Sequence, residues 1–401
     1  MPLFYPFSGS LSLLSKAMTV LSIPLFILII LGSCYALFSL ACVLDFFKDA
    51  GADRNTPVAS SAALPAVSVL KPIKGLDPLI GENLSSFCVQ DYPCFEVLFG
   101  FRDFDDPAVP VAAAVAAAAS CDARVVINGE GSGANQKTLN LLTLAGEARY
   151  PMLVLSDSDM AVDKEYLRRI VAEFEGCDKT GIVTSLYKIS RPASVGSALE
   201  SLAIALDFMP SVLAARRLEG VTFGLGASIL VSKEALRDIG GFAALTDYLA
   251  DDYQLGFRLW KQGYNNVISR HVIENRVGSM SFAAHLSHQL RWARTQRTSR
   301  PWGFFGYGVA HVFTFALALL CVRPGAASAA AMACVLALRC VLAMVVYLKV
   351  IRTRTWLKSL FLMPLRDVLG FVVWLWSFAG ARVRWRGTCY RVARGGRMTP
   401  V

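Results

Sequence analysis

The chain has 401 residues, of which 55% are hydrophobic and only 17% are charged, and its mean hydropathy is +0.48. This composition argues against an ordinary soluble enzyme and indicates a membrane protein with one soluble lobe. The net charge of +10 is concentrated beside apolar stretches near the C-terminus, which is typical of loops that face anionic lipid and argues against a nucleic-acid partner. None of the ten cysteines forms a C-x-x-C pair, so we expect neither disulfides nor zinc, and a reducing compartment.

The first apolar stretch predicts an uncleaved membrane anchor. Met18 to Leu44 is longer than the roughly 20 residues that cross a bilayer, and it lacks a small-residue cleavage site. Residues 1–48 are therefore predicted to form an N-terminal anchor. The following residues, 49–66, are predicted to be a linker, because Asp53 to Ala66 is rich in Ala, Ser and Pro.

From residue 67 onward, short apolar strands alternate with helices. The predicted strands are Val67–Leu70, Phe95–Phe101, Arg124–Ile127 and Met152–Leu155, and the helices between them are Pro78–Gln90, Pro107–Ala119 and Asn135–Glu147. We expect Asp77, then Asp105 or Asp106, and then Asn135 to cap these helices. Strands and helices at this spacing predict an α/β fold with a mainly parallel sheet, extending as one cytosolic domain over residues 67–300.

Apolar stretches return at the C-terminal end. Gly303 to Val322 and Gly325 to Leu348 predict two crossings, whereas Leu360 to Gly380 is interrupted by a proline and two charges. Two crossings would return the basic link from Lys349 to Lys358 to the inside, and a third would carry the arginine-rich end outside. We therefore expect 301–381 to contain transmembrane helices and an interfacial or re-entrant third segment, followed by a basic cytosolic tail at 382–401.

Two carboxylates follow the fourth predicted strand directly. Ligands of open α/β sheets bind at the carboxyl ends of the strands, and carboxylate oxygens suit a hard cation. Asp157 and Asp159 are therefore candidate ligands of Mg²⁺ or Mn²⁺. The alternative is that they only cap the next helix.

Other polar groups also follow predicted strands or begin helices. Asp103, after the second strand, is placed to accept hydrogen bonds from the base or ribose of a nucleotide. Lys137 lies in a first helical turn, where the helix dipole disfavours a cation, so we expect a diphosphate partner; the alternative is a solvated lysine. Of Asp251 and Asp252, one can cap the next helix and the other can act as a general base.

A last cluster lies on a probable helix before the C-terminal spans. His288 and Arg291 are three residues apart and share a face, and Trp292 follows. Alone, an indole and a guanidinium beside a membrane are ordinary anchors. Together with the carboxylates and Lys137, they suit a substrate with a metal-bound diphosphate, whose departure from a sugar builds negative charge that cations stabilise.

Eight ordered motifs resemble the ceramide glucosyltransferase family, which includes bacterial hopanoid-biosynthesis glycosyltransferases within the GT-A, inverting superfamily. The motifs are KPIKGLD at 71–77, QDYP at 90–93, DFDDPA at 103–108, DSD at 157–159, GGF at 240–242, DDY at 251–253, RW at 291–292 and WRGTCYR at 385–391. The resemblance runs from about residue 18 to residue 395 and implies a GT-A, Rossmann-like nucleotide-sugar-binding domain.

The resemblance also implies roles for individual residues. Asp103 would contact the nucleotide, Asp157 and Asp159 would hold the metal and diphosphate, and Asp252 would deprotonate the acceptor hydroxyl. The residues assigned to the nucleotide-sugar site with them are Lys71, Lys137 and His288, and those assigned to the catalytic site with Asp252 are Arg291 and Trp292. Three positions depart from the family pattern: His288 replaces Gln or Arg, Asp251 replaces Glu, and Met209 stands where animal enzymes have histidine. Animal enzymes also lack the second aspartate, at 159.

The expected function is transfer of a hexosyl unit, glucose first, from a UDP-sugar to the hydroxyl of a membrane lipid, either ceramide or a hopanoid. The expected location is a bacterial inner membrane, with the catalytic domain in the cytoplasm. Alternatives are a hopanoid N-acetylglucosaminyltransferase and, more remotely, a processive polysaccharide synthase. A transporter is disfavoured because Arg339 is a lone arginine within a span, and a dinucleotide oxidoreductase because no G-x-G-x-x-G follows the first strand.

Overall fold

The computed structural model describes residues 8–48, 64–353, 357 and 360–401, with side chains from residue 20 onward. Most of the predicted linker, residues 49–63, lies outside the described residues. Two cations of the predicted basic link, Arg354 and Lys358, lie outside them as well.

An eight-stranded mixed sheet forms the centre of the soluble lobe. Its strands are β1 Val67–Pro72, β2 Phe95–Phe101, β3 Asp122–Ile127, β4 Met152–Ser156, β5 Met160–Ala161, β6 Thr180–Lys188, β7 Ser228–Ser232 and β8 Asn265–Asn275. Their order is β3-β2-β1-β4-β7-β6-β8-β5. The first four strands in this order are mutually parallel, and β7 runs antiparallel between β4 and β6. This arrangement confirms the predicted α/β class with a mainly parallel sheet.

Helices cover both faces of the sheet and continue into an apolar bundle. They are α1 Ser8–Phe46, α2 Ile80–Cys88, α3 Val109–Ala118, α4 Gln136–Glu147, α5 Tyr166–Glu175, α6 Val195–Ala203, α7 Met209–Glu219, α8 Lys233–Asp238, α9 Asp251–Lys261, α10 Phe282–Ser299, α11 Pro301–Gly306, α12 Val312–Val322, α13 Ala326–Val346 and α14 Met363–Ser377. A π turn, Ile204–Phe208, joins α6 to α7, and we call the continuous segment Val195–Glu219 the central helix.

The parallel strands bury side chains on both faces, as strands covered by two helical layers do. Along β4, Met152 and Val154 join the core beneath α2, α3 and α5, whereas Leu153 and Leu155 join the core beneath α4, α8 and α9. The alternation follows from the two-residue period of a strand. Because both faces are sealed, the polar residues that follow β4 can only emerge at the end of the strand.

Two predicted helix caps are wrong. The helix predicted at 78–90 begins at Ile80, after Leu79 in a left-handed conformation (φ 58°), and no side chain caps it. Asp77 instead accepts hydrogen bonds from Ser158 and Arg386, partners far away in sequence. The physical reason is that a paired carboxylate has no lone pairs directed at the helix amides.

Of the next two helices, the first also lacks its predicted cap and the second has it. The helix predicted from Pro107 begins at Val109, and Asp106 holds the loop before it by accepting hydrogen bonds from the amides of Gly75 (2.8 Å) and Ala108 (2.9 Å). The predicted cap at Asn135 is confirmed, since its side chain accepts a hydrogen bond from the Thr138 amide at 3.1 Å.

Four helices of the described ranges are long and apolar enough to cross a membrane: Val20–Phe46, Val195–Glu219, Ala326–Ile351 and Leu360–Ser377. The stretch predicted at 303–322 is not one straight helix, because the chain bends by 51° between Pro301–Ala310 and Val312–Val322; counted as one span, this pair makes a fifth. The bend is at His311, whose backbone is not helical (φ −79°, ψ 38°). In an apolar 18-residue stretch of the central helix, 72% of the residues are buried inside the protein.

Charges inside the bundle pair with one another. Arg339 of α13 contacts Asp367 of α14 through two hydrogen bonds, of 2.5 and 2.9 Å, and Arg366 contacts Asp207 of the central helix. The arginine that stands alone in the sequence is therefore neutralised. The two charges that interrupt the apolar segment from Leu360 are Arg366 and Asp367, and both are buried and paired within the protein. They therefore do not argue against a membrane crossing by this segment.

The last twenty residues, predicted only as a basic tail, form a three-stranded antiparallel sheet. Its strands are β9 Arg382–Trp385, β10 Thr388–Val392 and β11 Met398–Pro400. Val383, Tyr390 and Met398 pack against Ala134 and Leu249 of the soluble lobe. Alternating apolar positions in this short segment let the basic side chains face outward while one face is buried.

Candidate active site

The Asp-Ser-Asp turn after β4 is held from below by a buried lysine. Lys71 of β1 is completely buried and donates hydrogen bonds to the Asp157 carbonyl (2.5 Å) and the Ser156 hydroxyl (3.3 Å). Burial lowers the pKa of Lys71 to about 7, although Asp159 and Asp157 favour its charged form. Lys71 therefore positions the turn from the core, and its side chain lies beneath the site instead of in it.

Lys137 reaches the same turn from the N-terminal end of α4. Its ammonium lies 2.6 Å from the Asp157 carboxylate and 3.8 Å from that of Asp251. Burial opposes the charge on Lys137, but Asp157, Asp251 and Asp252 outweigh burial and raise its pKa. The unfavourable helix position predicted a partner for Lys137, and in this structure the partner is a carboxylate.

Asp252 lies in the first turn of α9, close to a glycine-rich loop. Its carboxylate accepts hydrogen bonds from the amides of Gly226 (2.7 Å) and Tyr253 (2.8 Å). Burial first, and then the neighbouring charge of Asp251, raise the pKa of Asp252 to about 6. A Cβ on Gly226 would lie 2.9 Å from the Asp252 carboxylate, so glycine is what allows this approach.

Arg291 and Trp292 of α10 line the same cavity as these carboxylates. Trp292 packs against Tyr187, Phe208 and the ring of His288, with centroid distances of 4.7 to 6.2 Å. In the described part of the chain, no group accepts a hydrogen bond from the Arg291 guanidinium. Burial lowers the pKa of Arg291, and the charge of Asp157 opposes that effect. A half-buried cation without an acceptor is suited to an anionic ligand.

His288 is oriented by a buried glutamate of the central helix. Glu200 contacts the Nδ1 atoms of His285 (2.7 Å) and His288 (2.9 Å) and accepts two hydrogen bonds from Gln289, each of 3.1 Å. Because Nδ1 of His288 faces Glu200, its Nε2 edge is the one left to face the cavity that His288 lines.

One cavity of about 1240 Å³ connects these groups. At one end it is lined by Asp77, Asp157 and Asp159, and it passes Asp252 and Arg291. At the other end it is lined by apolar and aromatic side chains of the bundle, which include Tyr35, Val212, Leu218, Phe304 and Tyr307. The cavity thus joins a polar strand end to the membrane helices.

Seven of the site residues predicted from sequence line this cavity: Lys137, Asp157, Asp159, Asp252, His288, Arg291 and Trp292. Lys71 lies beneath it. The Asp103 side chain is exposed and accepts a hydrogen bond from the Asp105 amide at 3.0 Å, while its neighbour Arg102 lines the cavity. The proposed contact of Asp103 with a nucleotide therefore stays a prediction.

Asp157 and Asp159 fit a divalent cation. Burial and the charge of Asp157 raise the pKa of Asp159, a cost that a cation between the two carboxylates would remove. Among the described residues no group of three His, Cys, Asp or Glu side chains is arranged to hold a metal. In a typical Mg²⁺ site, one or two carboxylates bind the ion, and substrate phosphates and water complete its coordination.

Sequence reasoning missed Asp77, Glu200 and Arg386. Glu200 is one of few charged residues on the otherwise apolar central helix, and that isolation is a signal that would have identified it. Asp77 had been interpreted as a cap. No local pattern marks Arg386 within a run of arginines.

The mainly parallel sheet with carboxylates at a strand end is the arrangement expected of the predicted GT-A domain. A family model described as glycosyl transferase family 21 matches residues 24–398, and the chain belongs to that family. The family assignment confirms the resemblance to ceramide glucosyltransferases drawn from the motifs.

This chain is similar to curated relatives and to solved structures over different lengths. Ceramide glucosyltransferase 3 of Caenorhabditis elegans is 29% identical over 245 residues, 61% of this chain and 53% of the relative. Ceramide glucosyltransferase of Komagataella phaffii is 29% identical over 41% of this chain and 32% of its own length. The matched region thus spans about half or less of these relatives. A mannosyltransferase of Pyrobaculum calidifontis, solved with GDP-Man and Mn²⁺, is 18% identical over 87% of this chain and 99% of that chain, with a TM-score of 0.47.

Proposed function

We propose that this chain is a membrane-bound inverting glycosyltransferase that transfers a hexosyl unit, glucose first, from a UDP-sugar to the hydroxyl of a lipid such as ceramide. The observation that carries the proposal is the continuous cavity from Asp157 to Tyr35 of the first membrane helix. A polar donor and an apolar acceptor can meet there beside Asp252. The family and the names of the relatives support glucose and ceramide.

In the proposed reaction Asp252 takes the proton of the acceptor hydroxyl as its oxygen attacks the anomeric carbon opposite the departing UDP. A pKa of about 6 makes Asp252 a stronger base than an exposed aspartate, while it stays ionised at neutral pH. Arg291 and Lys137 neutralise the charge that develops on the diphosphate. A divalent cation held by Asp157 and Asp159 would supply further positive charge to the same oxygens.

The basic residues beside the bundle support a cytoplasmic position for the lobe in a bacterial inner membrane. Lys349 and Arg352 follow α13, and the β9–β11 sheet packs on the soluble lobe. This orientation places the donor cavity where cytoplasmic UDP-sugars can reach it.

Mass spectrometry of lipids from a bacterial host that expresses this chain and is supplied with ceramide tests the proposal. We expect hexosylceramide with the wild type and with Asp178→Ala, an exposed control, and none with Asp157→Ala. A hopanoid carrying N-acetylhexosamine would identify the alternative donor and acceptor. If no new glycolipid forms and purified protein releases no UDP from UDP-sugars, the proposal is wrong.

A further inference from the structure

The C-terminal β9–β11 sheet is fixed to the segments that carry the catalytic residues. The Leu249 amide donates to the Gly396 carbonyl at 3.0 Å, and the Met398 amide donates to the Asp247 carbonyl at 2.8 Å, just before Asp252. On the other side, Arg294 of α10 donates to the Arg382 carbonyl of β9. The sheet therefore has a defined position relative to both Asp252 and Arg291.

The turn between β9 and β10 points an arginine into the donor end of the cavity. Arg386 has a left-handed backbone (φ 45°), a conformation disfavoured for a residue with a Cβ. Its guanidinium binds both oxygens of Asp77, at 2.9 and 3.1 Å, and it lines the cavity. The strained turn is what aims this side chain inward.

Arg386 also belongs to the electrostatic field of the strand end. Burial opposes its charge, but Asp77 and then Asp159 and Asp157 outweigh burial and raise the pKa of Arg386. The positive charge of Arg386 also acts on Arg291, which lacks an acceptor in the described part of the chain. Both arginines line the same cavity, where Asp77 accepts hydrogen bonds from Arg386 and no described group accepts one from Arg291.

We propose that Arg386 binds the donor diphosphate together with Arg291, and that Asp77 holds the Arg386 guanidinium when no nucleotide is bound. A diphosphate offers the oxygens that two forked cations can share, and guanidinium groups recognise phosphate through paired hydrogen bonds. The C-terminal sheet then supplies a wall of the donor site. This inference rests on the proposed function and adds a donor-binding residue to it.

Binding titrations of UDP and of uridine to the full chain in detergent micelles test the inference. Arg386→Gln should weaken UDP binding about tenfold or more, because a charged hydrogen-bond partner is lost, and leave uridine binding unchanged. Arg386→Lys should recover part of the loss. Arg394→Gln is the matched control, since Arg394 lies exposed in the other turn of the same sheet; it should bind UDP like the wild type.

The outcomes separate the inference from the proposed function. If the wild type binds no UDP, both are wrong. If the wild type binds UDP and the Arg386→Gln and Arg394→Gln variants bind it equally, or if Arg386→Gln weakens UDP and uridine alike, only the inference is wrong. Hydrogen exchange of the wild type covers the case of an unstable variant: UDP, and not uridine, should slow exchange at Arg386 and Gly387, and equal exchange with both ligands would overturn the inference.

Discussion

At the scale of single residues, Asp252 has two properties that a general base requires. Two backbone amides fix its carboxylate, and its raised pKa gives it proton affinity near neutral pH. Asp251, its neighbour, contributes to that pKa through like charge and is itself held near Lys137. The pair illustrates how one carboxylate tunes another when both are buried.

Replacing Asp252 by Asn should lower kcat by about a hundredfold or more while UDP affinity is retained, because Asn cannot accept the proton. In the wild type, kcat/KM should rise with pH up to about pH 6 and then level, since the base acts only in its ionised form and its pKa is raised to about 6. Turnover measured from pH 5 to pH 8 checks both, with the exposed Asp178→Asn as control. Near-normal turnover of Asp252→Asn would exclude Asp252 as the base.

Of the two carboxylates Asp157 and Asp159, Asp159 is the one whose substitution tests the proposed metal site most directly. Its carboxylate accepts a hydrogen bond from Asn275 at 3.0 Å, whereas that of Asp157 contacts Lys137. We expect Asp157→Asn to abolish turnover, and Asp159→Asn to raise the Mn²⁺ concentration for half-maximal turnover on the order of tenfold or more. Turnover as a function of Mn²⁺ concentration measures this shift. An unchanged metal requirement in Asp159→Asn would show that Asp159 is not a ligand.

At the scale of elements, the glycine-rich loop before β7 determines how closely α9 approaches the sheet. A Cβ at Gly256 of α9 would lie 2.3 Å from the Gly224 amide nitrogen, and one at Gly224 would lie 2.6 Å from the Asp252 carbonyl oxygen. Backbone atoms cannot yield as a flexible side chain can. The loop and the helix therefore form one rigid support for Asp252, the proposed base.

Gly226→Ala tests this support. Its Cβ would come within 2.9 Å of the Asp252 carboxylate and displace it, so turnover should fall on the order of a hundredfold. Gly146→Ala is the control, because a Cβ at this helical position meets no atom within 4 Å. Steady-state kinetics and thermal unfolding of both variants separate a displaced base from a damaged fold. Wild-type kinetics in Gly226→Ala would contradict the role of the loop.

At the scale of the whole molecule, the central helix links the membrane bundle to the catalytic lobe. It supplies Glu200 to the histidines of α10 and Asp207 to the charged cluster of the bundle, and it lines the cavity through Phe208 and Val212. One helix therefore contributes to the orientation of His288, to the bundle and to the apolar end of the cavity. We therefore expect a change in the packing of the bundle to alter, through this helix, the positions of the residues that line the cavity.

The buried charge cluster holds the bundle together at this scale. Arg339→Leu would leave Asp367 without its main partner, and a broken buried pair costs about 3–5 kcal/mol. The midpoint of thermal unfolding in detergent should fall clearly, and Arg339→Leu/Asp367→Leu should recover part of the loss. Asp45→Asn, which removes the exposed pair of Asp45 with Lys48, should have little effect. An unchanged midpoint in Arg339→Leu would show that the cluster does not stabilise the bundle.

Local sequence patterns were enough to predict the first four strands, the apolar stretches near both termini, and seven of the residues that line the cavity. These depend on local properties: apolar period, span length and the place where a strand ends. Asp157, Lys137 and Asp252 could be found because each occupies a strand end or a helix start. The predicted helix caps at Asp77 and Asp106 failed because both carboxylates have tertiary partners that local rules do not include.

Which distant groups meet depends on the packing of the whole chain. Arg386 and Asp77 are 309 positions apart, and Glu200 and His285 are 85 apart. Contacts of this kind depend on how helices and sheets pack, and many arginines in the C-terminal region have the same local surroundings in sequence. Packing also turned the lone Arg339 into one member of a neutral cluster, because charge in a buried place is stable only beside its counter-charge. It folded the basic tail into a sheet from which Arg386 reaches the cavity.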